Sequence, residues 1–228
     1  MLCRRTALVI ALALGLLAGC TSSPDTTGPL PEPKGLVSAA ADRLAELRSV
    51  RFSLGLSGTV PGLNIRSMEG AASVAGGEFG WASGTADVQD ELERTEYEFL
   101  LQGDTLYLTD KEGTRHERPV PTRYAPASVL APETGIRRLL TSATELETEG
   151  KEELDEVEAF RVAGAVRREV ISALVPGIQS DVDVKFWVTT AQPRDLVRVW
   201  MQIPPRKPNE GAVMLELSLT GHNTPVTS

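Results

Sequence analysis

Val182-Asp183-Val184-Lys185-Phe186-Trp187-Val188, then Val197-Arg198-Val199-Trp200-Met201-Gln202-Ile203, then Val213-Met214-Leu215-Glu216-Leu217-Ser218-Leu219 place an apolar residue at every second position. Side chains of an extended strand point alternately to its two faces, so each run predicts a strand with one face in a core and the other toward water. Short polar turns separate the runs, and consecutive alternating strands joined by turns predict an antiparallel meander.

The same period continues upstream. Val50, Phe52, Leu54 and Leu56 alternate with Arg51, Ser53, Gly55 and Ser57, and Pro61-Gly62 marks the turn that follows. Further extended stretches are expected around 64–75 and 78–89. Tyr97, Phe99 and Leu101 run up to Gly103-Asp104, beyond which Leu106 and Leu108 resume the pattern as a hairpin. Residues 144–164 read as a second hairpin with Ala159-Phe160-Arg161-Val162 as its return strand. Helical spacing appears in three places. Leu36, Val37, Ala40, Ala41, Leu44 and Leu47 define a helix over 35–48, Ile136, Leu139 and Leu140 one over 133–143, and Val170, Ile171 and Leu174 one over 167–175 that Pro176-Gly177 stops. Between them, proline-rich 119–132 interrupts the sheet, with one helical turn at Ser128-Val129-Leu130. The sum is an α+β fold, an antiparallel sheet with helices gathered on its apolar face.

The N-terminus is of another kind. Arg4-Arg5 precede an apolar run from Ala7 to Ala18, too short for a permanent membrane span, that ends on Leu17-Ala18-Gly19-Cys20. Small residues before a cysteine resemble the bacterial lipobox and predict a signal peptide over 1–19, leaving Cys20 as the lipidated first residue of the exported chain. A diacylglyceryl group on the thiol and a further acyl chain on the amine, at about 0.8 kcal/mol per buried CH₂, make such an anchor nearly permanent. Residues 20–34, rich in Ser, Thr, Pro and Gly, predict a flexible tether, and 35–228 a single folded domain.

Cleavage would remove two of 23 basic residues and none of 31 acidic ones, so the charge falls from −8 to −10. That balance, with no basic stripe, argues against nucleic acid and against electrostatic adhesion to anionic headgroups. The cysteines are Cys3 and Cys20, so the folded part has neither disulfides nor thiol catalysis. Arginine in excess of lysine and abundant alanine point to a GC-rich genome such as an actinobacterium's.

Catalytic signals are thin. His116 and His222 fall in turn-like sequence, with no metal-binding histidine spacing, nucleophile elbow or phosphate loop. His116-Glu117 superficially matches a deaminase motif whose cysteine ligands are absent. Glu145, Glu147, Glu149, Glu152, Glu153, Asp155, Glu156 and Glu158 form a dense acidic run. It suits either calcium or, since Glu145, Glu147 and Glu149 alternate with Leu146, the solvated face of a hairpin, and the hairpin is the reading taken. Nothing picks out a carboxylate pair for glycoside hydrolysis, and no enzyme activity or cofactor is expected.

Ser49-Val50-Arg51-Phe52-Ser53-Leu54 with Pro61-Gly62-Leu63, and the segment from Tyr124 through Ala125-Pro126 and Ala131-Pro132 to Ile136, resemble the mycobacterial cell-envelope lipoproteins of the LppX and LprAFG family. Glu149-Gly150 and Phe186-Trp187-Val188 are similar too. Ala125 and Ala131 stand where that pattern has aspartate before each proline, which predicts weaker capping of the helical turns there.

The resemblance implies a strongly curved antiparallel sheet, a half-barrel, with helices on its concave face and an apolar cavity between them for the acyl chains of a phospholipid or glycolipid. Such proteins carry envelope lipids outward, some together with a membrane transporter. A two-chain lipid with about thirty CH₂ groups would expose roughly 24 kcal/mol of apolar free energy to water, so its transfer needs a cover. On that reading the cavity candidates are Phe52, Leu54, Leu56, Phe99, Leu101, Val184, Phe186, Val199 and Leu217 from the strands. Ile136, Leu140, Val170, Ile171 and Leu174 join them from the helices. The rival reading is an interaction module that carries nothing and positions an envelope transporter or enzyme.

Overall fold

A computed structural model of the chain describes residues 24–90, 93–207 and 209–226. The expected signal peptide and Cys20 lie outside the described residues. Eleven strands form one open antiparallel sheet. They are β1 Ser49–Ser57, β2 Ile65–Ser73, β3 Trp81–Asp90, β4 Glu93–Gln102, β5 Thr105–Thr109, β6 Arg115–Pro119, β7 Thr144–Leu154, β8 Val157–Val166, β9 Val182–Thr189, β10 Leu196–Ile203 and β11 Val213–Thr220. Their order is β6-β5-β4-β3-β2-β1-β11-β10-β9-β8-β7, two meanders joined where β1 pairs with β11. The helices are α1 Pro33–Ala45, α2 Pro126–Val129, α3 Ile136–Ser142 and α4 Arg168–Leu174.

The alternation sets the register. Leu54 faces Leu217, Leu217 faces Val199, Val199 faces Phe186, and Phe186 faces Val162, one row across five strands on the inner face. In the other direction Phe52 faces Gly70, which leads through Gly84, Phe99 and Leu108 to His116. Gly70 and Gly84 are irreplaceable for a steric reason, since a Cβ would stand 2.1 Å from the Ser83 carbonyl oxygen and 1.9 Å from that of Glu69 respectively. Missing side chains thus let β2 and β3 coil closely around each other.

Several boundaries differ from expectation. β6 is a strand where none is predicted, because Arg115-His116-Glu117-Arg118 lacks apolar alternation and still pairs along β5 through its backbone. His116 therefore lies in a strand and not in a turn. The three main helices are shorter than their apolar spacing suggests. Neither α2, beginning after Ala125, nor α3, beginning after Gly135, has a side-chain cap. α1 has one, the Glu32 carboxylate accepting from Lys34 N and Gly35 N.

The segment expected to be a flexible tether is held from residue 25 on. Asp25 exchanges backbone hydrogen bonds with Lys151 of edge strand β7, at 2.7 and 2.8 Å, and Thr148 Oγ1 donates to Pro31 O. A Cβ on Gly150 would stand 2.9 Å from Asp25 O, so this glycine admits the strap. The strap covers part of an edge that would otherwise offer unpaired backbone groups to another chain.

Candidate functional site

Helices cover the inner face unequally. α1 packs against β7, β9 and β10 and against α3, and α3 meets α4. Beneath them Val162, Ile171, Phe186, Val188, Leu196 and Val199 are fully buried, so this half is a filled core. Over β1–β5 and β11 the cover thins to α2, which packs on β2 and β3. Here Val50, Phe99, Leu101, Leu215 and Leu219 are still buried, but Phe52, Leu54, Met68, Leu106, Leu108 and Leu217 among them are only half-buried. The change occurs within single rows, as Val199 and Phe186 are 0 % exposed while Leu217 and Leu54 beside them retain exposed surface.

All of the residues put forward for the cavity join one apolar cluster, or pack against it, but they divide into two groups. Leu56, Phe99, Leu101, Ile136, Leu140, Ile171, Val184, Phe186 and Val199 are buried. Phe52, Leu54, Leu217, Val170 and Leu174 are the half-buried members, and with them go Met68, Leu106 and Leu108, which sequence reading did not put forward. Their signal was the same alternation, in runs interrupted by glycine or shortened by a turn.

The outer face is polar and carries two concavities. One of about 400 Å³ is lined by residues including Ser53, Gly55, Ser57, Arg66, Trp200 and Glu216. The other, of about 240 Å³, is lined by residues including Ser67, Glu69, Thr85 and Asp87.

The outer face of β7–β10 also takes up part of the acidic run. Glu149 lies 2.5 Å from Arg161 Nε and 3.0 Å from Lys185 Nζ, and Glu152 lies 3.3 Å from Arg161 Nη1 and accepts from Trp187 Nε1. The Arg161 Nε contact is close but poorly aligned, an ion contact without a formed hydrogen bond. Partial burial opposes ionisation of Glu149, yet the Lys185 hydrogen bond and the charges of Arg161 and Lys185 prevail and hold its pKa below the ordinary value. These two glutamates are therefore not the plain solvated face expected of the hairpin, although Glu145, Glu147 and Glu153 are exposed. Trp187 is covered as well, while Asp183 on the same face is exposed and Lys185 half-exposed, so the outer face of β9 is wet except at Trp187. Among the described residues, no group of three or more His, Cys, Asp or Glu is placed to hold a metal, and no helix is long and apolar enough to cross a membrane.

An open antiparallel sheet whose inner apolar face is closed by helices over one half and thinly covered over the other defines a class of half-barrel proteins. Solved structures share the fold. Over 87 % of this chain and 96 % of the other, LprF from Mycobacterium bovis aligns with a TM-score of 0.73 at 20 % identity. LppX from Mycobacterium tuberculosis aligns at 0.65, also at 20 % identity, over 85 % of this chain and 96 % of the other. The chain belongs to the LppX_LprAFG lipoprotein family, whose model matches residues 32–227. It is similar to the lipoarabinomannan carrier protein LprG of Mycolicibacterium smegmatis, 28 % identical over 79 % of this chain and 78 % of that one. The LprG of Mycobacterium tuberculosis is 25 % identical over 99 % and 95 %.

Proposed function

We propose that this protein is a membrane-anchored carrier that holds the acyl chains of a phospholipid or glycolipid against the thinly covered half of its inner face and assists their transfer to the outer cell envelope. The carrying observation is the split within single rows. A sheet face serving only as core is covered along its whole row, whereas Leu54, Leu217 and Met68 keep apolar surface that the helices do not take. Contact with hydrocarbon stabilises such surface by about 25 cal/mol per Å² removed from water. The carrier name borne by the LprG relatives supports the reading. Half-buried Phe52, Leu54, Met68, Leu106, Leu108 and Leu217, with Val170 and Leu174 of α4, line the proposed seat, while Phe186, Val199 and Ile171 hold the fold. Lipid on Cys20 keeps the carrier on the extracytoplasmic face of the membrane. No reacting group is required of it.

The test is native mass spectrometry of the full chain purified from an actinobacterial host, before and after organic extraction. Extra mass that extracts as a two- or three-chain lipid is the expected result. Bare protein that also takes up no phospholipid from vesicles would overturn the carrier reading and favour a module that acts only through its surface.

A further inference from the structure

Two inner-face rows cross the β1–β5 half and end on a polar side chain at the free edge of the sheet; the first is mostly half-buried, and the second is buried by protein from Val50 to Leu101. One runs from Phe52 through Gly70, Gly84, Phe99 and Leu108 to His116. The other runs from Val50 through Ala72, Ala82, Leu101 and Leu106 to Arg118. The ring of His116 meets that of inner-face Tyr97 edge-on at 6.1 Å, which confirms that His116 points to the apolar side of the sheet. From this arrangement we infer that His116, with Arg118 two residues on and on the same face, forms a headgroup site for the phosphate of an anionic lipid whose acyl chain lies along the mostly half-buried row from Phe52 to Leu108.

The inference rests on the carrier reading and specifies its cargo. Charges on an edge strand commonly guard against pairing with another chain, and outer-face Arg115 and Glu117 already meet that need. Arg118 donates to the backbone oxygen of Glu117, and among the described residues no carboxylate pairs with it. Arg118 is exposed and His116 half-buried, so both can reach a ligand. Among the described residues the acid in contact with His116 is Asp110, 3.7 Å from Nε2, and that carboxylate accepts from Thr114 N.

Length agrees with the assignment. Five strand steps separate Phe52 from His116, about 24 Å at about 4.8 Å each. One leaflet of a bilayer core is about 15 Å thick, half of the ~30 Å hydrocarbon span. An extended acyl chain therefore fits within the row while its phosphate rests at the edge. Guanidinium and imidazole N–H groups suit a phosphate oxygen, and charge-assisted bonds of that kind are stronger than neutral ones.

The full chain is titrated with phosphatidylcholine vesicles carrying fluorescent phosphatidylglycerol, or diacylglycerol with the same acyl chains. The comparison uses wild type, Arg118→Gln with His116→Gln, and Arg118→Lys, with circular dichroism to confirm folding. Wild type is expected to prefer phosphatidylglycerol. The double variant should lose about tenfold in that affinity and keep its diacylglycerol uptake, while Arg118→Lys retains the preference. Equal loss for both lipids, or no loss for either, would overturn the headgroup site while leaving the carrier reading intact. Glycerophosphate binding as tightly as phosphatidylglycerol would overturn it too, marking a site for free phosphate esters. Failure of wild type to take up either lipid would overturn the carrier reading, and the headgroup site with it.

Discussion

Leu54 and Phe186 share one register row on one face, three strand steps apart, and differ in cover. That makes them a matched pair. Phe186 is 0 % exposed, and Phe186→Ala leaves an enclosed void, at a cost of about 3–5 kcal/mol in stability. Leu54 is half-buried, so Leu54→Gln forfeits only part of the ~1.5–3 kcal/mol that full burial of a leucine contributes, about 1 kcal/mol. Lipid affinity should respond in the opposite order. An amide facing hydrocarbon without a partner costs about 1–3 kcal/mol, and the lost apolar contact adds to it, for a total near 3 kcal/mol, or roughly a hundredfold. Phe186→Ala, measured on its folded fraction, should change affinity no more than a few-fold. About 14 Å separates the positions, at about 4.8 Å per strand, far enough for their stability effects to add in the double variant. Urea denaturation measures the first quantity and displacement of a fluorescent fatty acid the second. Equal destabilisation by the two substitutions, or unchanged lipid affinity in Leu54→Gln, would falsify the division of the row into core and seat.

Gly84→Ala should cost about 3 kcal/mol in urea denaturation, because its Cβ falls 1.9 Å from the Glu69 carbonyl oxygen. A change below about 0.5 kcal/mol, the range of ordinary surface substitutions, would mean that β2 and β3 are not so closely coiled. Gly150→Val brings a side chain against Asp25 O and Pro24 Cβ, so hydrogen exchange at the Asp25 and Lys151 amides should accelerate while the β7–β8 pairing stays protected. Slow exchange at both amides would show that the strap accommodates the side chain. Burial alone would raise the pKa of Glu149, but Lys185 and Arg161 hold it below its ordinary value. Its carboxylate therefore stabilises the fold above the unfolded pKa of about 4.3, and that contribution is lost as pH falls through the lower folded value. Lys185→Met should flatten this acid dependence of the urea midpoint, and an unchanged slope would mean that Arg161 alone sets the shift.

The strands were legible because a half-buried strand writes itself in period 2, as Val213, Leu215, Leu217 and Leu219 do. β6 was not legible, since its inner positions are His116 and Arg118 and its pairing uses backbone groups that any residue supplies. The strap escaped for the same reason. Pro24–Glu32 has the composition of a free linker, and nothing in Asp25 announces hydrogen bonds to Lys151, more than a hundred positions away. Glu149 and Glu152 looked wet from their neighbours in sequence, but β7 is irregular in its register with β8, and Arg161 and Lys185 approach and cover them in part. The residues put forward for the site were legible as apolar positions, but their division into buried and half-buried was not. Leu54 and Phe186 carry the same signature in the chain, and only the docking of α1 and α3 over β7–β10 separates one from the other.

That separation bears on how a carrier can release what it holds. A protein whose core is completed by its lipid loses stability with every delivery, because a ligand bound only to the folded state stabilises it by mass action. Here the largest fully buried side chains, Phe186, Leu140, Ile171 and Ile178 among them, are closed by protein alone. The fold therefore does not wait on cargo. On the proposed carrier reading, the half-buried residues of β1–β5 and β11 would gain from hydrocarbon when it is present and return to partial solvation when it leaves, at a cost confined to their own surface. An open sheet suits this division, since a row that runs off a free edge lets a chain depart sideways without any strand unpairing.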